Sequence, residues 1–139
     1  MTMRAKEYLN QYRTMAEKVK TKIERIEMLQ AEATHITARI ESFGSGSEIS
    51  DRVGKIGASI VDEYDELYNE MARLRKKCRE IEHTISLVDD DTLQVLLEKK
   101  YILGKTWEQI AVEMNFCYRH TCRLHGIALR EVDRLLKMS

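Results

Sequence analysis

Read at a period of seven, residues 5–43 carry two apolar series. One is Ala5, Tyr12, Val19, Ile26, Ala33, Ile40; the other, three residues on, is Tyr8, Met15, Lys22, Leu29, Ile36, Phe43. Lys22 alone breaks the stripe, and Lys, Glu, Arg and Gln fill the positions between, as on a solvated helix face. Such sustained a/d patterning predicts a coiled-coil-type helix. The run FGSGSEIS (43–50) has no periodicity and reads as a turn. A second stripe follows: Val53, Ile60, Leu67, Leu74, Ile81, Val88, with Gly57, Tyr64, Met71, Cys78 and Ile85 four residues after each. Two helices of about 55 Å, joined by a short Gly/Ser loop, predict a long antiparallel helical hairpin over residues 1–88. The same stripes also suit burial against a second copy, so a homodimer or higher oligomer stays open. The acidic patch Asp62, Glu63, Asp65, Glu66 and Glu70 reads as a solvated face.

The pattern changes after Val88. Asp89-Asp90-Asp91 is helix-start chemistry, because carboxylates accept the orphan N–H groups of a first turn. A helix Thr92–Leu103 is expected, ended by Gly104. Thr106-Trp107-Glu108-Gln109 is a capping box opening a short helix, about Trp107–Met114. Asn115 suits a left-handed exit, and a final helix runs from about Tyr118 to Lys137. A short capped helix, a three-residue turn and a longer helix with polar first turns make a helix-turn-helix over residues 89–139. Ala111 supplies the small residue needed at the helix crossing, and Phe116 fills the space between. Thr121 and Leu124 turn inward, while Tyr118, Arg119, Cys122 and Arg123 turn outward, where base edges would be read.

Composition supports an all-α fold. The 139 residues include no proline, which would break long helices, and aromatics make up only 6%. No stretch approaches the ~20 apolar residues that span a bilayer, and MTMRAKEYLNQYRTM has no apolar h-region, so neither a membrane segment nor a secretory leader is expected. Cys78, Cys117 and Cys122 are an odd set without framework spacing, which suits reduced thiols in the cytoplasm. Net charge is zero, with 23 basic and 23 acidic residues, yet residues 117–139 carry Arg119, Arg123, Arg130, Arg134 and Lys137 against Glu131 and Asp133, a net +3. The total conceals a basic end.

The run LLEKKYILGKTWEQIAVEMNFCYRHTCRLHGIALREVDRLL resembles region 4 of sigma-70 factors, the domain that reads the −35 promoter element. The matching features are Leu96–Tyr101, Gly104, Thr106–Ala111, Met114–Phe116, Arg123-Leu124 and Ala128-Leu129. With the coiled N-terminal half, the SGS loop and Asp51–Gly54, the whole chain is similar to a family of small phage and mobile-element proteins of Gram-positive bacteria, related to ArpU and RinA-like late transcription regulators. The sigma resemblance implies base contacts from Tyr118, Arg119 and Arg123, and weaker phosphate contacts from Lys105, Thr106, His120 and Arg130. It departs from the pattern at Cys117, where sigma factors have a Ser or Thr cap, at Thr121, which replaces an apolar residue, and at Arg119, which stands near a common acidic position. Nothing resembles the sigma element that melts DNA, so a self-sufficient sigma factor is not expected.

The resulting reading is a DNA-binding transcriptional regulator, with double-stranded DNA as partner and RNA polymerase as a candidate second one. The alternatives are a small-terminase-like packaging subunit and a helical adaptor that binds polymerase with little DNA affinity. Cys117, His120, Cys122 and His125 crowd together, but on a helical wheel they fall at about 0°, 300°, 140° and 80° and do not converge, so no metal site is expected. Without a phosphate-binding Gly loop, nucleophile elbow or paired inward carboxylates, no catalytic residue and no cofactor is expected.

Overall fold

With no proline in the chain, nothing in either stripe forces a helix to stop. In the computed structural model α1 runs Thr2–Phe43 and α2 runs Ser47–Ser86. The structure describes residues 2–43 and 47–139, leaving aside the side chains of residues 2, 3, 40–43, 47 and 49. The expected positions Ile40 and Phe43 therefore lie outside the described side chains. Of the run expected to be a turn at about 43–50, Phe43 and Ser47–Ser50 are helical, and residues 44–46 lie outside the described residues. Glu48 suits the positive first turn of α2.

Three further helices follow: α3 (Asp91–Leu97), α4 (Trp107–Met114) and α5 (Tyr118–Met138). The fold is all-helical, with no strand among the described residues. No helix among them is long and apolar enough to cross a membrane. Packing groups the chain into two compact units, residues 16–73 and residues 1–15 with 74–139. The boundary expected at 88/89 falls inside the second.

In the 16–73 unit, α1 contributes Val19, Ile26 and Ile36 and α2 contributes Leu67 as buried apolar residues. Lys22, the break in the first stripe, is not left in water. It bonds Glu63 at 3.2 Å and also Glu66, while Arg25 reaches Glu63 at 3.1 Å and Lys18 reaches Glu70 at 3.2 Å. Glu63 and Glu70 are 14% and 11% exposed, so these two members of the acidic patch are not on a solvated face. For Glu63 the physical reason is Lys22, since a cation inside the seam draws a carboxylate inward and an unpaired buried charge is strongly disfavoured; Glu70 is held instead by Lys18 and by Arg73 at 3.0 Å.

In the other unit, Ala5 and Leu9 of α1 and Ile81, Ile85 and Val88 of α2 join Leu93, Leu97, Tyr101, Ala128, Leu129 and Val132 in one core. Polar contacts fix α1 there. Asp133 of α5 is buried (4% exposed) and accepts the Ala5 N–H at 2.9 Å. Ala5 lies in the first turn of α1, where N–H groups lack helical partners and a carboxylate is favoured. Tyr8 Oη meets Thr84 Oγ1 at 2.9 Å.

The helix expected over Thr92–Leu103 begins as read, with Asp90 accepting from the N–H groups of Thr92 and Leu93 at 2.8 and 3.2 Å. It then widens. Glu98–Ile102 form a π-helical turn in which Leu103 N–H donates to Glu98 O at 2.9 Å. The turn puts Tyr101 in the core (1% exposed) and ends at Gly104, whose φ of 69° favours glycine. A Cβ there would also stand 2.6 Å from the Arg13 guanidinium, which donates to Ile102 O at 3.4 Å.

Candidate nucleic-acid interface

The α4–α5 pair is set up by local chemistry. Thr106 Oγ1 accepts the Gln109 N–H at 3.2 Å and Gln109 Oε1 accepts the Thr106 N–H at 2.9 Å, a complete capping box. Asn115 leaves α4 with φ 58° and ψ 40°, and Phe116 N–H returns to Ala111 O at 3.0 Å. Ile110 and Ala111 are buried, while Phe116 is half-buried with the His120 ring edge-on at 4.9 Å. Cys117 occupies the α5 N-cap without a side-chain hydrogen bond, in keeping with its poor capping chemistry. Thr121 is fully buried, and its hydroxyl donates to Cys117 O at 3.0 Å. A polar residue is therefore tolerated at this apolar position because the helix itself satisfies its hydroxyl.

Tyr118, Arg119 and Arg123 are all exposed at the start of α5. Arg119 makes no hydrogen bond or ion pair with the described residues, so its five donors face water. Arg123 donates Nη2–H to His120 Nδ1 at 2.9 Å. A guanidinium only donates, so Nδ1 must be the unprotonated nitrogen, and the ring holds Arg123 in place. The Cys122 thiol beside Tyr118 raises that phenol above its ordinary value.

The weaker candidates differ in their freedom. Lys105 Nζ bonds both Glu113 oxygens, at 2.9 and 2.8 Å, and Lys99 bonds the same carboxylate at 2.6 Å. These lysines hold the Glu113 carboxyl below the usual carboxylate range. Lys105 must leave that pair to meet a phosphate. Thr106 spends its Oγ1 lone pair on the cap but keeps an O–H to donate. His120 is half-buried and engaged with Phe116 and Arg123; Arg130 is exposed.

Two features were not read from the sequence. First, Arg119, Arg123, Arg130, Arg134 and Lys137 are all exposed and recur at spacings of 4, 7, 4 and 3, so they fall within about 60° of one face of α5 and extend for about 27 Å. Arg134 bonds Glu131 at 2.7 Å. The signal for it is the helical periodicity of these charges rather than their number. Second, His125 sits inside the unit. Its Nε2 is 2.6 Å from Tyr101 Oη, its ring lies 4.3 Å from Trp107, and Lys100 stands 4.9 Å over the same indole. Burial, aided by the Lys6 and Lys100 charges, pushes His125 down to about 4, and burial pushes Tyr101 up to about 12. At neutral pH Tyr101 thus donates to a neutral imidazole that carries its proton on Nδ1. No group of three metal-ligating side chains gathers among the described residues.

Compared with known proteins, the chain matches no family model, no curated protein and no solved structure.

Proposed function

We propose that this chain is a sequence-specific duplex-DNA-binding protein that regulates transcription, with α4 and α5 serving as a helix-turn-helix of the kind found in region 4 of sigma-70 factors. The observation that carries the reading is the exposure of Arg119 and Arg123 on the first turns of α5, immediately after a capped helix and a left-handed Asn115 turn. Arg donates two parallel N–H groups to guanine O6 and N7 in the major groove, and Tyr118 adds a base-edge or stacking contact. The basic stripe suits the phosphates that flank such a groove, which would position α5 without reading sequence. Lys105, Thr106, His120 and Arg130 are the further phosphate candidates. The resemblance to phage and mobile-element regulators of the ArpU and RinA-like kind supports a role in control of such an element's genes, with RNA polymerase as a candidate second partner.

Fluorescence anisotropy on duplex DNA tests the reading. Arg119→Ala with Arg123→Ala lowers affinity for a preferred site by about 30-fold or more, since each bidentate pair is worth roughly 1–3 kcal/mol. Affinity and salt dependence both unchanged in the double variant would refute the assignment of α5 as the reading helix.

A further inference from the structure

The 16–73 unit is built with charge in its seam and apolar side chains outside it. Val53, Ile56, Ile60, Glu63, Leu67 and Glu70 of α2 are at least half-buried, whereas Val61 and Tyr68 are 60% and 66% exposed and Met71 is 40% exposed. With Glu63 turned to Lys22, α2 keeps Val53, Ile60 and Leu67 toward α1, and Val61 and Tyr68, which belong to neither apolar series of α2, stay outside the seam. On the α2 wheel Gly54, Gly57, Val61, Tyr68 and Ala72 share an arc of about 60°, and no charged residue between 50 and 72 falls within it.

The ion pairs define the edges. Lys18–Glu70 and Arg25–Glu63 fix the antiparallel register and close one edge of the pair with charge. The heptad positions of the opposite edge are Ala16, Ile23 and Gln30 on α1 and Gly54, Val61 and Tyr68 on α2, with Ile23 40% exposed. One edge is closed by ion pairs, whereas the positions of the other carry no charge and one polar side chain, Gln30, which donates to Tyr64 Oη at 3.0 Å. That asymmetry is not expected of a helix pair with water on all sides.

The apolar edge is complementary to itself. Gly54 and Tyr68 lie equally far from Val61 along α2, and the space beyond Gly54 and Gly57 is open, with nothing within 4 Å of an added Cβ. An antiparallel two-fold pairing of two α2 helices about Val61 seats each Tyr68 ring over the Gly54 backbone of the other copy. Large meets small at both ends, as an isologous contact requires. From Gly54 to Ala72 the face is about 27 Å long, and it is about 20 Å across two helices. It therefore offers on the order of 500 Å² per copy, or about 1,000 Å² in total, which meets the lower bound for a specific interface.

We propose that the apolar edge formed by Ile23, Gly54, Gly57, Val61, Tyr68 and Met71 is covered by the same edge of a second copy, making the chain a two-fold dimer through α2. Sedimentation velocity of the full chain across the micromolar range reads the mass directly. A dimer is expected, with Val61→Glu or Tyr68→Glu raising its dissociation constant about 100-fold, as for a central interface anchor, while helix content by circular dichroism stays unchanged. Val61 points away from the α1–α2 seam, so folding and association separate in this variant. As an independent measurement, the three native cysteines are replaced by serine and a single cysteine is introduced. Val61→Cys then forms a covalent dimer on oxidation, whereas Gly54→Cys and Tyr68→Cys cross-link only when the two variants are mixed. A monomer throughout, an oligomer that Val61→Glu leaves intact, or a failure of Val61→Cys to cross-link each overturns the proposal. None of these readouts involves DNA, so the dimer and the reading helix stand or fall separately.

Discussion

Replacing His125 by phenylalanine should change how stability depends on pH more than it changes stability at any one pH. In the folded chain burial holds His125 at about 4, whereas in an unfolded chain histidine titrates near 6.5. The folded state binds the proton less readily, so protonation favours unfolding: no penalty exists above pH 6.5, and it grows as pH falls from 6.5 to 4. At pH 5 the two values imply about 2 kcal/mol, which falls to about 1 kcal/mol when halved for the part of the ring that water reaches. Urea unfolding followed by circular dichroism at pH 7.5 and 5 gives this quantity for both proteins. The variant loses the Tyr101 hydrogen bond at either pH, and the cost of leaving that hydroxyl unpaired shifts both measurements equally. The signature is therefore a difference of differences: the wild type should lose about 1 kcal/mol more than His125→Phe between the two pH values. Equal losses in the two proteins would refute the placement of His125 as a buried neutral acceptor.

The caps and the phosphate candidates give further outcomes. Thr106→Ala removes half of the capping box and should cost about 1 kcal/mol in urea unfolding, and as a phosphate candidate it should also lower duplex affinity in titration. Thr121→Val should fall within about 0.5 kcal/mol of the wild type, because Cys117 O keeps the Thr121 N–H as a donor and only a self-satisfied hydroxyl is lost. Glu113→Gln releases Lys99 and Lys105 from their shared carboxylate and removes a negative charge beside the proposed phosphate contact at Lys105. If α5 reads DNA as proposed, this variant should tighten binding to duplexes of any sequence several-fold at low salt and steepen the salt dependence, as titration by fluorescence anisotropy would measure.

Where local chemistry decides structure, the sequence is informative. The Thr106/Gln109 box, the Asp90 cap, the Gly104 stop and the Asn115 exit each depend on residues within a turn of one another, and each is found in the structure. Long-range pairings were not legible in the same way. Lys22 breaks its stripe in the sequence, and the partners that accommodate it, Glu63 and Glu66, stand at a separation that no periodicity encodes. Asp133 was counted as an acid offsetting the basic helix, yet it caps the first turn of α1 from the other end of the chain. The π-helical turn at Glu98–Ile102 serves Tyr101 and Arg13, neither of which marks it in the local sequence. For the candidate interface, the exposure of Tyr118, Arg119 and Arg123 follows from helical phase once Thr121 is placed inward. Phasing the later cations in the same way would have brought Arg134 and Lys137 into the stripe.

Selection of bound fragments from a pool of random duplexes asks most directly whether the first turns of α5 read base edges, because it reports binding and sequence preference together. Enrichment of one motif containing guanines is expected, lost when Arg119 and Arg123 are both alanine and kept when Arg134 and Lys137 are. Recovery of no motif from the wild-type chain, with no duplex retained even at low salt, would contradict that role for α5.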